Sequence, residues 1–436
     1  MPPPSPRWRG QQVRKLKRSM AVTAVAALAL TACGNGGGSD AEGETLSVWI
    51  MEGTNPDAES FFKSVKSEFK EETGATLDVQ FVQWAEAHDK FVTSIAGNTT
   101  PDVAETGSTW TAEFAEAGAL APLDEQIEKA GLKDDLVDGL VEAGTLEDSL
   151  YGMPWYAGVR SVVYRKDIFE KHGLTPPTSW EELREAGLAL KEAEPDMTPF
   201  AVPGDSAYLA YPFIWGAGAE LAEQEGDTWS SGIDSPEARE GVKFYTDLAV
   251  KDGLSSAGAT TWNEKDVLDN FVKGNLSMAT MGSWAMPAIL EQNPDLEGKI
   301  GAFPIPGPES GYSPSFLGGS HLSVFEGSKK QELAWKFVEM MTTGETAAEW
   351  AEQTNYFPGQ ASLLEEAAKS DDPLVKPFAT QMVEAGTSVP VAPGWGAVEA
   401  KKTVPAMIQS ILSGDKSVDS ATEDAATEIE ELLNGK

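Results

Sequence analysis

Of the residue types able to do chemistry in this 436-residue sequence, the 13 tryptophans form the clearest pattern. Many stand beside Gly, Ser, Thr or Pro rather than inside apolar stripes. Examples are Ser108-Thr109-Trp110, Pro154-Trp155-Tyr156, Tyr211-Pro212-Phe213-Ile214-Trp215-Gly216, Gly282-Ser283-Trp284 and Pro393-Gly394-Trp395-Gly396. Gly and Pro mark turns and loop edges, where a ring can line a cleft. A flat indole suits the apolar C–H face of a pyranose, while neighbouring hydroxyls, amides and carboxylates can take the sugar's O–H groups. If stacking removes about 100 Å² of apolar surface from water, each ring contributes about 2.5 kcal/mol before ordering costs. Two or three such rings suffice for micromolar affinity. For any one tryptophan, core packing is the competing role.

Signs of catalysis are missing. His88, His172 and His321 lie far apart, and no pair has metal-ligand spacing. There is no phosphate loop, dinucleotide fingerprint or Gly-x-Ser-x-Gly elbow. The carboxylate pairs Glu71-Glu72, Asp134-Asp135 and Glu181-Glu182 sit on helical patterns among like neighbours and read as solvated faces. The sequence asks for no cofactor and no metal, and it reads as a non-enzyme.

The elements that must position the rings alternate between strand and helix. Leu46, Val48 and Ile50 alternate as a strand, and Phe61, Phe62, Val65 and Phe69 follow at helical spacing until Gly74. Leu77, Val79 and Phe81 alternate again, and a helix through Phe91, Val92 and Ile95 leads to a short strand over 101–104. The next turn is Gly107-Ser108-Thr109. Val162, Val163 and Tyr164 predict a buried strand. After the Pro176-Pro177 break, Thr178 or Ser179 caps a helix starting at Trp180. A Pro- and Gly-rich stretch from 302 to 319 reads as a long crossing connection. Val418, Ala425, Ile429 and Leu432 place a helix near the C-terminus. Strands and helices trading places at this pace predict an α/β sheet with crossover helices.

The N-terminus reads as an export signal: six basic residues and no acidic one in the first 20, then a short apolar run over 21–32. Twelve residues are too short to cross a bilayer core of roughly 30 Å. Leu30-Thr31-Ala32-Cys33 resembles the bacterial lipobox, which implies lipidation of Cys33, the only cysteine. Two acyl chains on that residue give stable anchoring. Without the six basic residues, 27 Lys and Arg face 69 Asp and Glu, a formal −42. Such a balance argues against nucleic acid or an anionic membrane surface as partner, and leaves contact with the membrane to the lipid anchor. A single cysteine also rules out an internal disulfide.

From Leu46 onward the chain resembles the extracellular solute-binding proteins of family 1, the group that includes maltose-binding protein. The resemblance rests on Thr100-Pro101-Asp102-Val103, the run over 115–123 (AEAGALAPL), Gly152-Met153-Pro154-Trp155, the run over 161–169 (SVVYRKDIF) and that over 177–183 (PTSWEEL). Arg165 departs from the Asn or Asp usual after that tyrosine. The resemblance implies an α/β, two-lobed periplasmic-binding-protein type II fold with a ligand cleft between lobes, and crossings near 155–159 and 315–320. It assigns 1–32 to a lipoprotein signal, 33–43 to the lipidated tether, 44–154 with 288–317 to lobe 1, and 155–287 with 318–436 to lobe 2. It further implies hinge closure, handover to ABC permease subunits, an extracytoplasmic location and a monomer.

Carried over by motif, the first-lobe site loop is Gly107, Ser108, Thr109 and Trp110, with Trp84 as a further wall. Asp205, Tyr208 and Trp215 are expected from the second lobe, Trp284 and Trp395 as stacking aromatics, and Gly319 and Ser320 where a crossing strand passes the cleft. His321 beside them reads as a satisfied hinge histidine. The family's maltose binder carries charged residues where this chain has Thr109 and Trp110, a departure that bears on maltose itself and not on a glycan. A di- or oligosaccharide is thus the expected ligand. The alternatives are a polyol or a polyamine, for which only Asp205 and Glu52 offer carboxylates, a lipid-anchored sensor using the same fold, and an exported glycosidase.

Overall fold

The computed structural model describes residues 41–435, apart from Glu42, Thr54, Asn55, Asp57, Asp227, Ala368 and Pro393. The export signal at 1–32, Cys33 and most of the tether lie outside the described residues.

Ten strands set the architecture. The first five are β1 (Thr45–Glu52), β2 (Thr76–Gln83), β3 (Val103–Gly107), β4 (Met153–Gly158) and β5 (Arg160–Arg165). They are followed by β6 (Thr198–Phe200), β7 (Leu276–Gly282), β8 (Ile300–Phe303), β9 (Gly318–Val324) and β10 (Phe357–Pro358). In β1 the alternation of Leu46, Val48 and Ile50 buries all three completely, as a strand with one face on a core requires. The helix α1 (Glu59–Thr73) buries Phe61, Phe62, Val65 and Phe69 and ends at Gly74 in the left-handed region, which glycine enters without a Cβ penalty. Next come α2 (Trp84–Gly97) and α3 (Thr111–Glu116). In the second lobe Ser179 caps α4 (Trp180–Ala193) by accepting from the Glu182 amide. The remaining helices near the cleft are α5 (Ala207–Gly216), α6 (Glu264–Val272) and α7 (Trp395–Ala400), and α8 (Val418–Leu433) follows them.

Two sheets result. The first runs β10-β4-β9-β3-β1-β2 and the second β8-β5-β7-β6. In the first, β1 is parallel to β2 and β3, while β9 is antiparallel to both β3 and β4. Only Val159 separates β4 of one sheet from β5 of the other, and only Leu317 separates Ser315–Phe316, which pairs with Gly386–Thr387, from β9. The chain thus changes lobe at these two places and a third time after β10, since Gly386–Thr387 pairs with Ser315–Phe316 and α7 and α8 pack in the second-lobe core.

This pairing corrects the partition implied by the resemblance. Residues 288–317 carry β8, which pairs antiparallel with β5 and so belongs to the second lobe. Residues 318–324 and 357–358 pair with β3 and β4 and belong to the first. The sequence marks the crossing but not which sheet has an open edge for each strand.

Candidate functional site

The two lobes meet over a cleft of about 430 Å³. Its first-lobe wall grows from the ends of parallel strands. After β3, Gly107 pairs with Ser320 of β9, and the Ser108 amide donates to the Gly319 carbonyl at 3.0 Å. That anchors the loop and presents Thr109 and Trp110 to the cleft. Trp84, the first residue of α2 after β2, tilts against Trp110 with ring centroids 5.6 Å apart. Both rings press on Gly107, where a Cβ would lie 3.4 Å from the Trp110 ring. The floor is a further ring series: Tyr156 stacks on Tyr356 at 3.9 Å, and Tyr356 lies 5.2 Å from Trp284. A Cβ on Gly158 would sit 2.6 Å from the Trp284 ring, so glycine at the first crossing makes room for that indole.

The second-lobe wall carries Tyr208 and Tyr211 of α5, with Phe316 stacked on Tyr208 at 4.7 Å. Arg160, the first residue of β5, is held by Glu264 of α6 in a fork (Nη2 to Oε1 2.8 Å). Its guanidinium lies 4.6 Å from the Tyr208 ring centre and 5.0 Å from that of Trp284. Charge pairing and ring faces together make this buried arginine a fixed part of the wall.

Glu399 of α7 bridges the lobes. Its Oε2 accepts from Thr109 Oγ1 at 2.6 Å and from Trp110 Nε1 at 3.1 Å, both of the first lobe. Its Oε1 accepts from the Tyr208 hydroxyl at 2.7 Å. Burial outweighs these donors and holds the carboxyl above its ordinary pKa. One turn earlier, a Cβ on Gly396 would meet the Glu113 carboxylate of α3 at 1.9 Å, so α7 touches the first lobe twice on one face. His88 completes that corner, bonded to Glu113 at 2.9 Å. Burial opposes its protonation, yet the Glu113 hydrogen bond and the fields of Glu113, Glu399 and Asp89 raise its pKa.

Of the residues expected at the site, Trp84, Gly107, Ser108, Thr109, Trp110, Asp205, Tyr208, Trp284, Gly319 and Ser320 all line the cleft. Two do not. Trp215 lies about 10 Å along α5 from Tyr208, two helical turns on, and packs in the second-lobe core against Tyr211. Trp395 is 1 % exposed in the same core, with Val398, Ile408 and Ile429. Its loop-like setting pointed to the right helix, but the cleft receives Glu399. His321 stands behind the cleft, fully buried, with Nδ1 2.8 Å from Thr111 Oγ1 and Nε2 2.9 Å from the Leu140 carbonyl.

Sequence reasoning missed Arg160, Glu264, Tyr156, Tyr356 and Glu399. Arg160 follows the Gly158-Val159 crossing, which could have marked it. Nothing local separates Glu399 or Glu264 from the other acidic residues, 69 Asp and Glu in all.

Two α/β lobes, crossed three times by the chain and lined with polar and aromatic groups on both sides of one cleft, define a protein that closes on a small solute. The chain belongs to the bacterial extracellular solute-binding protein family, which residues 53–348 match. It is 26 % identical over 406 residues to the diacetylchitobiose binding protein DasA of Streptomyces coelicolor, covering 90 % of this chain and 93 % of that one. An ABC transporter solute-binding protein of Thermotoga lettingae, solved with alpha-D-tagatose, superposes with TM-score 0.81 at 28 % identity, over 89 % of this chain and all of the other. The maltotriose-binding protein of Thermus thermophilus shares the fold, with TM-score 0.77 at 23 % identity over 88 % and 99 % of the two chains. No helix among the described residues is long and apolar enough to cross a membrane.

Proposed function

We propose that this protein is the lipid-anchored, extracytoplasmic receptor of an ABC importer, that it closes on a neutral di- or oligosaccharide, and that it hands the sugar to the permease without chemistry. The observation that carries this reading is the placement of aromatic faces around one cavity, Trp84 and Trp110 on the first-lobe wall, Tyr208 and Phe316 on the second-lobe wall and Trp284 on the floor. Its volume of about 430 Å³ lies at the lower end of the roughly 300–1,000 Å³ that holds small ligands, and suits a short glycan. The sugar ligands named for DasA and the Thermotoga protein support the same class.

A polyamine fits less well, because four of the cleft carboxylates are already engaged. Asp205 pairs with Lys402 at 2.9 Å, Glu264 with Arg160, and Glu52 accepts from Gln83 at 2.8 Å. Glu399 holds three donors.

The test is thermal unfolding of the soluble Cys33→Ser form against mono- and oligosaccharides, polyols and polyamines. A ligand at 100 times its Kd stabilises by about 2.7 kcal/mol. A rise with one sugar, lost in Trp284→Ala, is the expected result; a rise with a polyamine alone would reject the sugar assignment. Anchoring is read separately, by incorporation of labelled fatty acid into the wild type and its loss in Cys33→Ser.

A further inference from the structure

Directly behind the cleft floor, Glu105 of β3 is buried with no cation paired to it among the described residues. One side-chain oxygen accepts from the Met51 amide of β1 at 2.7 Å. The other accepts from the Tyr156 hydroxyl of β4 and from Ser320 Oγ of β9 at 2.7 Å. Tyr156 and Ser320 are themselves 3.0 Å apart and line the cleft. The carboxylate on β3 therefore ties together β1, β4 and β9, the last two through the cleft residues Tyr156 and Ser320, on the strands that flank the crossings at Val159 and Leu317.

We propose, resting on the reading of this cleft as a carbohydrate site, that Glu105 sets the hydrogen-bonding polarity of the cleft floor. As a carboxylate it can only accept. Both hydroxyl protons are then drawn towards it, and the lone pairs of Tyr156 and Ser320 are left for the O–H groups of a sugar. When Glu105 takes up one proton from solvent, it must donate to one of those two oxygens. The hydroxyl that receives this bond has its own proton released and turns it to the cleft, changing from acceptor to donor. No covalent bond other than the new O–H forms. A floor of two acceptors favours a sugar that presents two hydroxyls there, and a floor of one donor and one acceptor does not.

Burial pushes Glu105 up to about 7, against the pull of its three donors, so the exchange falls near neutral pH. None of the groups hydrogen-bonded to it is a cation. Tyr156 and Tyr356 are both held far above their ordinary range by burial. Glu52, next to Met51 on β1, is turned to Gln83. His321, next to Ser320 on β9, is turned to Thr111 and Leu140 and kept neutral by burial. Arg160 is paired to Glu264, and both charges act on Tyr356. Glu105 acts through Tyr156 and Ser320 and is a positioning residue.

The test has two arms. In the first, affinities for maltotriose, N,N′-diacetylchitobiose and tagatose are measured by calorimetry from about pH 5.5 to about pH 8.5. The wild type should change affinity by about tenfold, the value of one hydrogen bond reversed. Glu105→Gln should be flat over that range, and Tyr156→Phe should show a smaller change. A Glu105→Gln profile that keeps the wild-type shape overturns the proposal. In the second arm, without sugar, tyrosine ring carbons are followed by NMR over the same range. A Tyr156 resonance titrating near neutrality, and fixed in Glu105→Gln, supports the proposal; one that does not titrate in the wild type overturns it. If none of the three sugars binds, the second arm, which needs no sugar, alone decides the role of Glu105.

Discussion

Glu105 and His321 should give folding stability two opposed pH dependences that nearly cancel, and substitution of Glu105 exposes the hidden one. Burial raises Glu105 from 4.5 to about 7. Its folded form binds a proton more readily than its unfolded form, so its contribution is complete below about pH 4.5 and is lost as pH rises through 7. Burial lowers His321 from 6.5 to about 4. There the neutral form is favoured by folding, and the contribution is complete above pH 6.5 and is lost as pH falls towards 4. Taken from pH 8 to pH 5.5, Glu105 adds about 2.0 kcal/mol and His321 removes about 1.4 kcal/mol. Both side chains are essentially without solvent exposure, so the shifts need no discount for screening. Urea unfolding of wild type and Glu105→Gln at the two pH values measures this. The wild type should gain about 2 kcal/mol relative to the variant on going to pH 5.5. A difference between the two proteins that stays constant with pH would refute the assignment of a buried, uncompensated carboxyl.

The other expectations concern the cleft and its neighbours. Trp84→Ala and Trp284→Ala should each weaken sugar binding by about 10- to 50-fold, since each removes a stacking face; titration calorimetry reads this. Trp395→Ala should leave ligand contacts in place and cost about 3–5 kcal/mol of stability, because that ring is 1 % exposed in the second-lobe core. If it instead abolishes binding in a protein of unchanged melting temperature, the core assignment is wrong. Glu399→Ala removes the acceptor shared by Thr109, Trp110 and Tyr208. It should shift the ligand-free protein towards an open form, seen as a larger radius of gyration by X-ray scattering, and should weaken binding by about tenfold or more. Gly158→Ala should lower affinity more than stability, because the new methyl meets the Trp284 ring rather than the sheet.

How far the sequence reaches depends on the range of the force involved. The alternation of Leu46, Val48 and Ile50, the α1 stripe from Phe61 to Phe69, the stop at Gly74 and the cap at Ser179 are set within a few residues, and each is found where the local pattern puts it. The turn at Gly107-Ser108-Thr109 was legible for the same reason, while its place at the site came with the family resemblance. Pairing was not. β8 and β9 are separated by 14 residues, yet they enter different sheets, because an edge is open beside β5 for one and a slot between β3 and β4 for the other. That choice belongs to the assembled sheets, and local composition carries no trace of it. Which ring faces the cleft was equally undecided. Trp284 and Trp395 share a Gly-rich setting, but one settles in the gap left by Gly158 and Gly282 while the other packs with Ile408 and Ile429. Local pattern was enough for the elements, their alternation and the loops that could bind. Glu399, Arg160 and Glu105 were singled out by tertiary contact alone, because a carboxylate or guanidinium gains a role from partners a hundred or more residues away, as with Glu399 and Thr109 or Arg160 and Glu264.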